Sequence, residues 1–203
     1  MLNGAFRSLR YDVLNDFAPI LPLVTNPVVL FARKTMPARD LNELIAWLKA
    51  NPSKASAAIG QPTTHLLTAF FQKETGTQLT LVPYRGLPFQ DLVAGEIDLV
   101  FATPVFLPLV RAGSISAYAA TSETRLAIAS DIPTFGEIGM PALSYSGWFG
   151  LFAPKNTQRD IIRRLNTAAV EALGDPAVRS RLGDLGMEVF PHERQTPEAL
   201  GEM

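Results

Sequence analysis

The chain has 203 residues, 18 Lys and Arg against 19 Asp and Glu, and a formal net charge of −1. That near-balance argues against nucleic acid as a partner, which requires clustered basic side chains. The absence of Cys excludes thiol nucleophiles, disulfides and thiolate zinc sites.

From Met1 to Arg10 a basic start is not followed by the apolar run of a secretory signal. The greasiest window, Phe17 to Ala32, is interrupted by Pro19, Pro22 and Pro27, so no segment reads as a spanning helix. Val28–Ala32 is a short apolar, β-branched run with the signature of a buried strand. Asp40 followed three residues later by Glu43 forms a capping box. Leu41, Leu44, Ile45 and Leu48 then repeat at helical spacing, which predicts a helix over Leu41–Ala50, stopped by Asn51-Pro52.

The cycle then repeats. Ala55–Ile59 predicts a strand, Gly60 to Thr64 a turn, and His65–Thr75 a helix closed by Gly76. Thr80–Val82 predicts a strand, with a Tyr84-Arg85-Gly86 turn and a short helix ending at Gly95. Ile97–Phe101, a turn at Pro104, a helix to Ala112-Gly113 and a strand at Ala117–Thr121 follow. Strands alternating with helices of this length predict α/β architecture with a mainly parallel sheet.

Beyond Thr121 the texture changes. Asp131–Pro141 is turn-rich, and Ser144–Ala153 is an aromatic extended stretch. Asp160–Leu173 reads as a helix with Ile161, Leu165, Ala168, Ala169 and Ala172 on its apolar face. Asp175-Pro176 opens a second helix that ends at Leu185-Gly186, and Thr196-Pro197-Glu198 starts a last one after a strand at Glu188–Phe190.

Catalytic signals are missing. There is no nucleophile elbow, no Walker loop and no dinucleotide fingerprint. His65 and His192 have no ligating partners in sequence, and Glu96 and Asp98 merely flank a strand, so neither a metal site nor an acid–base pair is expected. The positive signal is three successive strand-to-helix turns: Gly60-Gln61-Pro62-Thr63-Thr64, Pro83-Tyr84-Arg85-Gly86 and Ala102-Thr103-Pro104. In a parallel sheet such turns share the carboxyl edge, where ligands bind. Helix-start N–H groups with Thr hydroxyls suit a carboxylate, and Arg85 can clamp one. On spacing alone, Thr63 and Thr64 as mere caps and Arg85 as a solvated side chain remain equally open.

Read together, several ordered segments resemble the Bug-type periplasmic solute-binding proteins of tripartite tricarboxylate transporters. They are Tyr11–Ile20, Pro62–Leu66, Val82–Gly86, Leu109–Ala119, Asp131–Gly139, Ser146–Pro154 and Asp175–Leu182. The resemblance implies a type II, Venus-flytrap periplasmic-binding-protein fold, with one complete lobe and one partial lobe. It places 27–146 in the complete second lobe, with 1–26 and 147–203 in the partial first lobe.

The implied function is capture of a small organic carboxylate, without catalysis or cofactor, in the periplasm, for delivery to membrane permease subunits. Carried over, the ligand-binding set is Gly60, Thr63, Thr64, Tyr84, Arg85, Gly86, Ala102, Thr103 and Trp148. Ala102 stands where the family often has an Asp that grips an amine, which favours a plain carboxylate over an amino acid. The partial first lobe implies weakened binding, about millimolar where an intact relative is micromolar. Rival readings are an effector-sensing domain of a transcription regulator, a small hydrolase or isomerase, and a fragment without function of its own.

Overall fold

The computed structural model describes residues 10–12 and 15–203. The Met1–Leu9 start, and Val13-Leu14 within the Tyr11–Ile20 segment, lie outside the described residues. In chain order the elements are β1 (Phe17–Pro27), β2 (Val29–Arg33), α1 (Leu41–Ala50), β3 (Ser56–Ile59), α2 (Pro62–Thr75), β4 (Thr80–Pro83), α3 (Phe89–Ala94) and β5 (Leu99–Ala102). A 3₁₀ turn at Pro104–Phe106 leads to α4 (Leu107–Arg111) and β6 (Ile115–Ala120). Then follow β7 (Ser146–Pro154), α5 (Arg159–Gly174), α6 (Pro176–Asp184), β8 (Glu188–Val189) and α7 (Pro197–Gly201). Two compact units result: Pro27–Ser146, and the residues up to Asn26 together with Gly147–Met203.

The larger unit holds a five-stranded sheet in the order β4-β3-β5-β2-β6. The neighbouring strands β4, β3 and β5 are mutually parallel. β2 runs antiparallel to both β5 and β6, so the sheet is mixed where the alternation of elements predicts a mainly parallel one. The reason lies in connectivity. β2 has no preceding helix in its own unit and follows directly from β1, so no right-handed crossover dictates its direction. It therefore starts at the edge where β3, β4, β5 and β6 all end.

Both faces of this sheet are covered, as continuous apolar strands require. Leu30, Ala32, Ala57, Leu99 and Phe101 face Leu41, Leu44 and Leu48 of α1 and Leu67 and Phe71 of α2. The alternate residues Val29, Phe31, Ala58, Val100 and Ala102 face Leu92, Phe106, Leu107 and Ile132. α1 occupies the span that the spacing predicts. Asp40 accepts from the Glu43 N–H at 2.9 Å, and the Glu43 carboxylate accepts from the Arg39 N–H at 2.8 Å.

At the amino edge Asp98 ties three strands together. Its carboxylate accepts from the Ser56 N–H (2.7 Å) and hydroxyl (2.8 Å) and pairs with the Arg33 guanidinium. This is a structural clip remote from the carboxyl-edge turns. Asp98→Ala is expected to cost about 3 kcal/mol, because it leaves a partly buried guanidinium and a backbone N–H without their acceptor. Urea unfolding checks this, and a cost under about 1 kcal/mol would contradict it.

The Asp131–Gly139 segment packs along the free edge of β6, where Ala120 N–H donates to Pro133 O and Phe135 N–H to Ala120 O. Thr134 and Glu137 cap each other: the Thr134 N–H donates to the Glu137 carboxylate at 2.8 Å, and the Glu137 N–H to the Thr134 hydroxyl at 3.1 Å. The Arg125 Nε–H is shared between the two Glu137 carboxylate oxygens at 2.9 and 3.0 Å. The Thr134 N–H first, and Arg125 with it, hold the Glu137 carboxyl below its ordinary range.

The smaller unit has a three-stranded sheet, β7-β1-β8, with β1 and β8 antiparallel. Its core gathers Ile20, Leu21, Ala153 and Leu173, with Ile162, Ala169, Val170, Leu182 and Val189 around them. This overturns the predicted apolar face of α5. Ile162, Asn166, Ala169, Val170 and Leu173 turn inward, whereas Ile161, Leu165, Ala168 and Ala172 are exposed. The polar Asn166 is the cause. Its side-chain amide donates to Ile20 O at 3.0 Å and Gln195 O at 2.9 Å, so a residue that counts as polar in the pattern sits on the inner face.

Candidate functional site

β4, β3 and β5 are adjacent and parallel, so the turns leaving them stand side by side at one edge of the sheet. The β3 and β4 turns touch. The Tyr84 N–H donates to Ile59 O at 2.8 Å. A β-carbon on Gly60 would lie only 2.8 Å from Tyr84 O, so glycine is what permits this approach.

After Gly60, α2 begins at Pro62 rather than at His65 as the sequence reading has it. Proline at the first helical position lacks only an N–H that would have no helical partner anyway. Thr63 and Thr64 therefore stand in the first helical turn. The Thr64 hydroxyl is engaged locally, donating to Gln61 O at 2.9 Å and lying 3.2 Å from both the Gly60 and Gln61 N–H groups as their acceptor. Thr63 is half-buried, and its hydroxyl has no hydrogen bond among the described residues. His65 is exposed in the same turn.

In the β4 turn, Arg85 and Gly86 are exposed, and Arg85 is the single charged side chain on the three turns. Tyr84 is half-buried and donates its hydroxyl to the Asp91 carboxylate at 2.6 Å. That hydrogen bond, with burial and the charges of Asp91 and Glu96 adding to it, pushes the phenol up to about 12. The phenol thus stays a neutral donor that pins the turn to α3. Asp91 is the member of this arrangement that motif reading misses; its one signal is the seven-residue spacing from Tyr84.

In the β5 turn, Ala102 is 2% exposed and its methyl belongs to the core around Phe106, so only its backbone is left to face a ligand. Thr103 is half-buried, its carbonyl accepts from the Phe106 N–H, and its hydroxyl has no hydrogen bond among the described residues. Gly60, Thr63, Thr64, Tyr84, Arg85, Gly86, Ala102 and Thr103 are thus gathered along one edge. Trp148 lies in β7 of the smaller unit, half-buried.

These turns offer two uncommitted hydroxyls, the start of a 14-residue helix and one guanidinium. They bring no carboxylate beside a histidine and no cluster of metal ligands; none exists among the described residues. The arrangement can hold an anion.

The family model for the tripartite tricarboxylate transporter family receptor, TctC, matches residues 3–200. The chain belongs to this family. Protein BugT of Bordetella pertussis is 33% identical over 195 residues, covering 94% of this chain and 57% of BugT. MatC from Rhodopseudomonas palustris, solved with bound malate, superposes with a TM-score of 0.87 at 31% identity, covering 99% of this chain and 70% of MatC. The R. palustris protein Rpa4515, solved with adipate, gives a TM-score of 0.86 at 29% identity over 97% of this chain and 66% of its own. The chain thus has the α/β fold of periplasmic solute-binding proteins. It spans less than three fifths of the length of BugT.

Proposed function

We propose that this TctC-family chain binds a small organic carboxylate in the periplasm and passes it unchanged to the permease subunits of a tripartite transporter. The observation that carries this reading is the row of three turns on adjacent parallel strands, with free Thr63 and Thr103 hydroxyls and an exposed Arg85. Malate in MatC and adipate in Rpa4515 support the ligand class. No helix among the described residues is long and apolar enough to cross a membrane.

On this reading Thr63 and Thr103 donate to carboxylate oxygens, Arg85 adds a charge-assisted contact, and Gly60 and Gly86 admit the ligand to the backbone. Thr64 and Tyr84 hold the turns in place, and Ala102 offers its backbone; Trp148, in the other unit, stays in the set as what the family resemblance implies.

Isothermal titration with malate, adipate, glutamate and adipamide tests the proposal. Saturable heat is expected with at least one dicarboxylate and none with the uncharged diamide, and the ligand should be recovered unaltered. Thr63→Ala and Arg85→Gln should each weaken binding about tenfold, the equivalent of roughly 1.4 kcal/mol. Binding of the diamide as tight as that of the diacid, or turnover of any ligand, would refute it.

A further inference from the structure

Tyr84 makes contacts in two directions. Its backbone belongs to the candidate site. The N–H donates to Ile59 O, the carbonyl is the atom that leaves no room beside Gly60, and Arg85 follows in the chain. Its side chain leaves the site and ends on α3, where the hydroxyl donates to the Asp91 carboxylate at 2.6 Å. That is the length of a charge-assisted bond, about twice as strong as one between neutral groups.

α3 is a firm post at the far end of this link. Leu92, next to Asp91, has no exposed surface and packs with residues of β2 and β5 on that face of the sheet. Phe89 stacks on Phe106 with ring centroids 3.8 Å apart. The Glu96 N–H donates to the Asp91 carbonyl at 2.8 Å, and Gly95 closes the helix in the left-handed region at φ 83°. Asp91 is therefore anchored to the packed sheet, whereas Arg85 and Gly86 are exposed.

We infer that Asp91 is a positioning residue for carboxylate binding, a role that rests on the function proposed above. Through the Tyr84 hydroxyl it holds the β4 turn, and with it Arg85, in place before a ligand arrives. A turn already held does not have to be ordered on binding, and that saving is worth up to about tenfold in affinity per side chain. The sign of the effect separates positioning from charge. Removing a carboxylate from the neighbourhood of an anion would tighten binding if charge alone acted, whereas losing a positioning contact weakens it.

Isothermal titration with adipate and with malate tests this, with circular dichroism confirming that each variant is folded. Asp91→Ala should weaken binding about fivefold. Asp91→Asn should recover most of that loss, because its amide oxygen can accept from the same hydroxyl. Tyr84→Phe should weaken binding about as much as Asp91→Ala. The double variant should be no weaker than either, because all three break one link. A natural chain that gives no saturable heat with either diacid would refute the function proposed above and this role with it. Saturable binding that Asp91→Ala leaves unchanged or tightens would overturn the role of Asp91 alone. Additive losses in the double variant, or Asp91→Asn as weak as Asp91→Ala, would do the same.

Discussion

Phe106→Ala is expected to destabilise the larger unit by about 3–5 kcal/mol, the range for removing a fully enclosed aromatic ring. Phe106 has no exposed surface. Its ring stacks on Phe89 with centroids 3.8 Å apart and on Phe31 at 5.3 Å. It therefore links the inner strand β2 to α3 and to the 3₁₀ turn that Thr103 opens. Truncation leaves a cavity bounded by two rings that cannot both move into it, since Phe31 is fixed in the sheet. Native domains have only about 5–15 kcal/mol in hand, so the loss shows directly as a lowered urea midpoint. Phe106→Leu keeps most of the volume and should cost less than half as much. Equal costs for the two variants would mean that the ring does not bridge these elements.

The second large effect falls on Gly60. Its substitution by alanine puts a methyl 2.8 Å from a carbonyl oxygen of the neighbouring turn, well inside contact distance, and that atom belongs to the backbone. The β3 and β4 ends must separate, and the hydrogen bond from the Tyr84 N–H to Ile59 O is strained or lost. An overpacking cost of about 1–3 kcal/mol follows. The candidate site suffers more, because Thr63, Tyr84 and Arg85 are carried by the two turns that move apart. Carboxylate affinity should fall at least tenfold, and the Tyr84 amide should lose its protection against hydrogen exchange. Gly86→Ala is the control, since a β-carbon there meets nothing within 4 Å. Its backbone contact should be kept and its stability cost small. Unchanged exchange at Tyr84 in Gly60→Ala would show that the two turns are not coupled through this contact.

How far the fold is legible in the sequence differs from element to element. α1 is readable to the residue because three local signals agree: the Asp40–Glu43 cap, the leucine spacing and Asn51-Pro52. α2 is found but opened three residues late, since Pro62 reads equally as a turn residue and as a helix start. The direction of β2 cannot be read locally at all; it is set by where the chain enters the sheet. α5 misleads for a definite reason. It has apolar residues on both sides, and the polar one that faces the core, Asn166, is satisfied by two carbonyls distant in sequence. At the candidate site the turns themselves are visible as Gly, Pro and Thr clusters. Which hydroxyls are already engaged is not, because the Tyr84–Asp91 and Thr64–Gln61 bonds depend on the backbone path.

The placement of β2 also bears on how the chain reaches this state. Val29 pairs with Ala102 on one side and Ala120 on the other, partners that lie about 70 and 90 residues later. At a synthesis rate of roughly 5–20 residues per second, this largely buried apolar strand waits several seconds before either neighbour exists. During that interval its five residues are unpaired on both edges and both faces. The last ladder to form is therefore β2 with the edge strand β6, and the nascent chain has to be kept from aggregating until β6 emerges.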